Sequence, residues 1–382
     1  MKYPLGVQNF ESIRNDGYFY IDKTALVYQI ANGGKYYFLS RPRRFGKSLL
    51  ISTLEAYFLG KKDLFKGLAI DQLEQDWNVY PVLHLDLNAR NYSDKDALLA
   101  ELNKHLEIWE AEYGSEYKDR APEERFQHVI VNAYKKTGKK VVILVDEYDK
   151  PLLQTFGNKP LLDEYRKILK AFYGVEKTMD AYIQLGFFTG VAKFSKVSVF
   201  SDLNNLTDIS LDLRYAILCG ITEEEIHDRL DEAIAQLGEV CGINKDGCYE
   251  RLRENYDGYR FHHKAPGVYN PFSLLTALAR NEFGSYWFET GTPTILVEVL
   301  KRTDYSLSQL LNEEATADLL GNLDDMENSP IALLYQSGYL TLKDYDNRFC
   351  TYRLGFPNRE VEEGFTRYLV PYFTPLKKEH HR

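Results

Sequence analysis

The segment Arg41-Pro42-Arg43-Arg44-Phe45-Gly46-Lys47-Ser48 ends in a glycine, a lysine and a hydroxyl residue, in that order. Backbone N–H groups at a helix N-terminus cradle phosphate oxygens, a lysine reaches the outer phosphates, and a hydroxyl holds the accompanying metal; the pattern GxxxxGK[ST] collects these features. The last three positions match, whereas the first glycine is replaced by Arg41. Glycine there eases a tight turn out of a strand, so the replacement implies a different path into the loop. Arg43 and Arg44 carry planar donors that suit phosphate oxygens or an acidic partner, and the sequence leaves both readings open. A solvated basic turn would have the same composition, so the flanking elements must decide.

They are of the required kind. Residues 35–40 (KYYFLS), preceded by Gly33-Gly34, predict a short buried strand entered from a turn. From Lys47 the apolar residues Leu49, Leu50, Leu54, Tyr57 and Phe58 keep helical spacing, and Gly60 with Lys61 and Lys62 marks a helix end. A metal-bound nucleotide also needs an acid at the end of a neighbouring strand. Residues 141–145 (VVILV) read as a strand buried on both faces, and Asp146-Glu147-Tyr148-Asp149 follow. Asp146 is the metal-side candidate, and Glu147 is placed to polarise a water against the γ-phosphate. Thr189, closing the apolar run 184–191 (QLGFFTGV), is either a γ-phosphate sensor or an ordinary strand-end hydroxyl. About 100 residues separate the loop from the acids, leaving room for an intervening strand. The expected site therefore has Arg43, Arg44, Phe45, Gly46, Lys47, Ser48 and Leu49 around the nucleotide, Ser48 and Asp146 at the metal, and Lys47, Glu147 and Thr189 in the chemistry.

The elements that must carry this site alternate. Residues 79–88 predict a strand with Pro81 at its start, and helical patterns follow over about 94–113 and 122–136, each ending in glycine. Another helix is expected over about 161–179, and residues 216–221 (AILCGI) read as a fifth strand. Alternation of this kind predicts an α/β fold with a mostly parallel sheet covered by helices. The polar stretch with Ser195, Ser198, Ser201, Asn204 and Asn205 is too long for a simple turn. After Thr222 the pattern turns helical, with Ile226, Leu230, Ile234 and Leu237 on one face behind Glu223-Glu224-Glu225. From about Pro330 a helix runs into a predicted β-hairpin, the order of a winged helix and of other α+β modules. The expected organisation is a core over 1–222, a helical region over 223–325 and a winged-helix-like region with the tail over 326–382.

Composition narrows the classes. A chain of 382 residues, 44% hydrophobic and 14% aromatic, can bury sizeable cores and is not disordered. Its net charge of −9 advertises no general affinity for nucleic acid, so any such contact needs a local patch. The N-terminus lacks a secretory apolar segment and no run approaches the ~18 residues of a membrane span, so a cytoplasmic protein is expected. Cys219, Cys241, Cys248 and Cys350 form neither a CxxC pair nor a zinc spacing and read as reduced packing residues.

Several long motifs now stand together: 13–30 (IRNDGYFYIDKTALVYQI), 38–50 (FLSRPRRFGKSLL), 145–152 (VDEYDKPL), 187–206 (FFTGVAKFSKVSVFSDLNNL) and 256–261 (YDGYRF). They resemble the bacterial AAA-ATPase-like family, in which RPRRFGK[ST] is the form of the phosphate loop, over about residues 1–280. The resemblance implies a P-loop NTPase core, a helical lid and a winged-helix-like region, with ATP and Mg2+ as ligand and cofactor. Many members continue into a PD-(D/E)XK nuclease-like domain; this chain leaves no room for one, and no nuclease activity is expected. In the same layout Asp22-Lys23-Thr24 would lie near the adenine edge or cap a helix, and Arg260 would sense nucleotide or belong to a packed turn. His262 and His263 read as surface polar residues.

Three functions are compatible with these residues. The first is an ATPase whose lid closes over Mg-ATP and moves the winged-helix region; the second is a nucleotide-gated switch that does not hydrolyse. The third is a DNA-binding module using Lys343, Arg348, Arg353 and Arg359, with a subordinate ATP site. A protein partner or DNA at the C-terminal region, no membrane, and an undetermined oligomer complete the expectations.

Overall fold

The computed structural model describes residues 1–194, 199–200, 205–289, 294–302, 313–323 and 330–368. Ser195, Ser198, Ser201, Asn204 and the tail after residue 368 lie outside them. The chain divides into two compact units, one of residues 1–40 with 46–210 and one of residues 41–45 with 211–382.

The first unit is built on a parallel sheet. Its strands are β1 (Tyr36–Ser40), β2 (Val82–Asp86), β3 (Val141–Asp146), β4 (Ile183–Gly190) and β5 (Thr207–Asp208), in the spatial order β2-β3-β4-β1-β5. The central β3 is buried at all six positions, as the run VVILVD requires in a sheet covered on both faces. β4 pairs with β3 on one side and with β1 on the other, so it supplies the strand between the loop strand and the acid strand. The helices Lys47–Phe58, Ala97–Tyr113, Pro122–Thr137 and Lys159–Thr178 flank the sheet. Two of them end as expected, with Gly114 after the first of the central pair and Gly138, in the left-handed region, after the second.

Residues 216–221 are not a strand. Ala216, Leu218, Cys219 and Ile221 are buried, but they pass through turns after a short 3-10 helix, Leu213–Tyr215, and make a single bridge from Ile221 to Tyr269. Gly220 at φ +103° breaks the extended run, and a short apolar stretch has no period that separates a buried turn from a buried strand. The fifth strand is instead Thr207–Asp208, in the polar stretch, pairing with Tyr37 and Phe38 of β1.

One buried acid in this unit carries a prediction. Glu176, on the helix Lys159–Thr178, is fully buried, and neither carboxyl oxygen has a hydrogen-bond partner among the described residues. β4 has Gly186 opposite it, where a Cβ would come within 2.6 Å of Glu176 Oε2. Burial pushes this carboxyl well above the ordinary range, so the folded chain keeps a proton that the unfolded chain loses near pH 4 to 5. Stability from that proton is complete at low pH and is lost as pH rises towards the folded-state pKa. Relative to the wild type, Glu176→Gln is therefore expected to gain about 1 kcal/mol per pH unit between pH 5 and 7 in urea unfolding. Parallel pH profiles for the two chains would remove this assignment.

In the second unit Thr222 caps the helix Glu223–Arg229 in a capping box with Glu225, and the helices Asp231–Cys241, Lys245–Tyr256 and Pro271–Arg280 follow. Ile226, Leu230, Ile234 and Leu237 are all fully buried, with the helix broken at Leu230. Further on, β6 (Glu314–Thr316) is followed by the helices Ala317–Leu320 and Ile331–Gln336 and by the hairpin β7 (Thr341–Asp346) and β8 (Thr351–Gly355). β8 lies between β6 and β7, both antiparallel to it. No disulfide joins the cysteines among the described residues; Cys219 and Cys248 are buried, whereas Cys350 is exposed, at φ +54°, just before β8. No described helix is long and apolar enough to cross a membrane.

Candidate functional site

The site begins where the loop ends. Gly46, at φ +85°, precedes the helix Lys47–Phe58 and its carbonyl accepts from Leu50 N–H, a left-handed turn that glycine adopts without strain. Ser48 and Leu49, in the first turn of that helix, are half-buried. Lys47 is buried, and its Nζ lies 3.5 Å from Glu147 Oε1. The next side chain, Ser48, hydrogen-bonds the Asp146 carboxylate. Two motifs about 100 residues apart thus meet through four side chains, because the helix after β1 packs against β3 and presents its first turn to the end of that strand.

Asp146 is only 4% exposed. Burial, with the negative charge of Glu147 adding to it, pushes its carboxyl up to about 6, against the hydrogen bond from Ser48 and the charge of Lys47. Its Oδ1 is buried with no hydrogen-bond partner among the described residues. An open carboxylate oxygen beside a serine hydroxyl suits the water shell of magnesium, which binds through few protein ligands. Glu147 stands at φ +52°, a left-handed conformation unusual for a residue with a Cβ and of the kind found at functional sites. Asp86 is the register partner of Asp146 across β2 and β3, and its charge adds to the rise in Asp146. The signal for Asp86 was the one that marked Asp146, an acid closing an apolar strand.

The rest of the acidic motif points inward. Asp149 is fully buried, and its Oδ2 accepts from Val191 N–H at 3.1 Å and Ala192 N–H at 2.6 Å. Burial first, and then Glu147, push this carboxyl up to about 7. Tyr148 accepts from Phe194 N–H and donates its hydroxyl to the Ala192 carbonyl. Together the two residues bind the chain leaving β4 to the end of β3. Gly190 is obligatory there, since a Cβ would come within 2.3 Å of Asp149 Oδ1. Nothing in the sequence marked this clamp, since an acid after a strand reads as solvent-facing until the β4 exit is seen to enclose it.

Thr189 is fully buried, and its hydroxyl donates to the Leu39 carbonyl at 3.0 Å, across the β4–β1 seam. Asp22 accepts from Thr24 N–H and hydroxyl and from Ala69 N–H, joining two helix starts. In the second unit, Arg43 and Arg44 are exposed and Phe45 is buried. The Arg260 N–H donates to Thr341 Oγ1 at 2.8 Å, its carbonyl lies 3.3 Å from the same hydroxyl, and its guanidinium donates to the Lys343 carbonyl at 3.5 Å. His262 and His263 are half-buried and stacked, and His263 also stacks on Tyr345. No group of three metal-ligating side chains forms among the described residues.

Comparison with known proteins places these motifs in company. A family model described as AAA-ATPase-like, predicted AAA-ATPase, matches residues 4–200. The chain is also 40% identical over 378 residues to a protein of Azotobacter chroococcum mcd 1 described as an uncharacterized protein in the vnfD 5' region; the match covers 98% of this chain and 71% of that protein.

Proposed function

The chain belongs to the family of predicted AAA-ATPases, and from that premise we propose that it binds Mg-ATP at Gly46–Ser48 and hydrolyses it with Glu147 as the base. The observation that carries this reading is the meeting of Lys47 with Glu147 and of Ser48 with Asp146. Lys47 holds the outer phosphate oxygens and stabilises charge on them in the transition state. Ser48 and Asp146 hold magnesium, which when bound neutralises the phosphates and polarises the γ-phosphoryl group. Glu147 orients the attacking water and accepts its proton, for which it exchanges its ion pair with Lys47 when the phosphates take the lysine. Thr189 keeps β1 and β4 in register, its proton being given to Leu39.

The same reading assigns 223–325 to a helical lid and the C-terminal region to a winged-helix-like module coupled to nucleotide state. A strand, two helices and a hairpin whose second strand pairs back on the first support that module, which then starts at Glu314, ahead of residue 326. The surface proposed for DNA is half neutralised from within. Arg353 pairs with Asp344 and Arg359 with Glu363, whereas Lys343 donates to the Pro357 carbonyl and Arg348 lies over the exposed Phe349 ring, neither of them ion-paired among the described residues. A protein partner for this region therefore fits better than DNA, and a salt titration against duplex DNA is expected to show no steep loss of binding, because there is little specific binding to lose. The nucleotide reading itself is tested by titrating the chain with Mg-ATP and following phosphate release in the same sample.

A further inference from the structure

The phosphate loop of this chain departs from the general pattern at its first residue, and the second unit accounts for the departure. Residues 41–45 group with residues 211–382, not with the sheet whose strand they leave. Each of the five has a partner there. The Arg41 guanidinium donates to the Tyr215 carbonyl at 3.1 Å and lies 3.9 Å over the Phe261 ring, with the residue 1% exposed. Pro42 packs on Gly338, where a Cβ would come within 2.7 Å of it. The Arg43 carbonyl accepts from Trp287 Nε1 at 3.3 Å. Arg44, at φ +68°, lays its guanidinium 4.6 Å over Phe272. Phe45 meets Tyr259 and Phe261 edge-to-face at 4.7 and 5.6 Å.

The motif YDGYRF is the centre of this grip. Gly258 sits at φ +91° with a Cβ position 2.2 Å from the Pro357 carbonyl oxygen, so only glycine makes the turn that presents Tyr259 and Phe261 together. The phosphate loop is ordered beforehand, by stacking and packing on five successive residues, and preorganisation of this kind removes an ordering cost from binding.

We propose that Tyr259, Phe261 and Trp287 are positioning residues for the phosphate loop, acting through the main chain of residues 41–45 to set the nucleotide affinity of Lys47 and Ser48. The proposal rests on the Mg-ATP reading given above, and its test separates the two. Arg41→Gly restores the general GxxxxGK[ST] pattern in full, yet it is expected to weaken Mg-ATP binding about tenfold, with kcat at saturating Mg-ATP within twofold of the wild type. Phe261→Leu is expected to do the same, and Phe261→Tyr, which keeps the ring, to restore wild-type affinity. In the nucleotide-free full chain, hydrogen exchange of the peptide covering residues 41–46 should quicken at least tenfold in Arg41→Gly and Phe261→Leu, while the peptide covering β3 is unchanged. If Phe261→Leu does not fold, Trp287→Phe, which removes the bond to the Arg43 carbonyl and keeps an aromatic ring, carries the same two expectations. Arg41→Gly binding Mg-ATP as tightly as the wild type, or unchanged exchange over 41–46, overturns the proposal. A wild-type chain that binds no Mg-ATP overturns the nucleotide reading, and the exchange measurement then still decides whether the loop is held.

Discussion

The Glu147→Gln chain is expected to bind Mg-ATP at least as tightly as the wild type and to release phosphate slower by about two to three orders of magnitude, the range a positioned general base contributes. The reasoning starts from the ion pair. In the wild type, Lys47 Nζ lies 3.5 Å from Glu147 Oε1, and the phosphates must displace that carboxylate to gain the lysine. The amide cannot compete for the lysine as a charge can, so binding keeps or gains strength, and the amide cannot accept the proton from water. Lys47→Ala separates the roles in the other direction: it removes the group that meets the phosphates and leaves Asp146, raised by burial and by Glu147, without a nearby cation. Its affinity for Mg-ATP should fall about 100-fold, or about 2.7 kcal/mol. Calorimetry and phosphate release on the three chains read both effects. Wild-type turnover in Glu147→Gln would remove the base assignment, and wild-type affinity in Lys47→Ala would remove the loop from the site. Tight binding by a wild-type chain that does not turn over would favour the nucleotide-gated switch.

Asp149→Ala is expected to destabilise the chain by about 3 kcal/mol, since it leaves the Val191 and Ala192 N–H groups buried without an acceptor at about 1 to 3 kcal/mol each, partly offset by the removal of a buried carboxyl. Asp149→Asn keeps an oxygen in the same place and should lose about 1 kcal/mol. The order of the two midpoints in urea is the check. Equal losses would mean that the volume of the side chain matters and its bonds to the β4 exit do not. Tyr148→Phe provides a second reading of the clamp, because it leaves Phe194 N–H without the hydroxyl it bonds.

The parts of this molecule that were legible in advance are those whose signal is local. β1, β3 and β4 are apolar runs of strand length, and the helix from Lys47 keeps its period to Phe58. The acids at 146 and 147 follow a strand that could only be buried. What was not legible depends on residues far away in the chain. Thr207–Asp208 joins the sheet through two polar residues, and nothing in their types marks them as extended until β1 offers them an edge. Residues 216–221 have strand-like composition and are buried, but Gly220 turns them. Asp149 reads as one more charge on a polar strand end until Gly190 and the two N–H groups beyond it are seen to enclose it. The grip on the phosphate loop is the extreme case, since Arg41 finds Tyr215 and Phe261, and Arg43 finds Trp287, at separations of 174 to 244 residues.

The position of β4 in the sheet also sets when this protein can exist as a binding unit. A chain leaving the ribosome presents β1, then β2, then β3, but the strand that joins β1 to β3 is the fourth to be made. Until residues 183–190 emerge, the lysine and the acids belong to pieces with no shared ladder, and about 140 residues must be held clear of misplaced pairing. A nascent chain arrested just before residue 183 should therefore hold neither a stable sheet nor nucleotide, although every side chain that meets at the phosphate site has already been synthesised. Nucleotide would reward only the finished sheet and offers no help in reaching it.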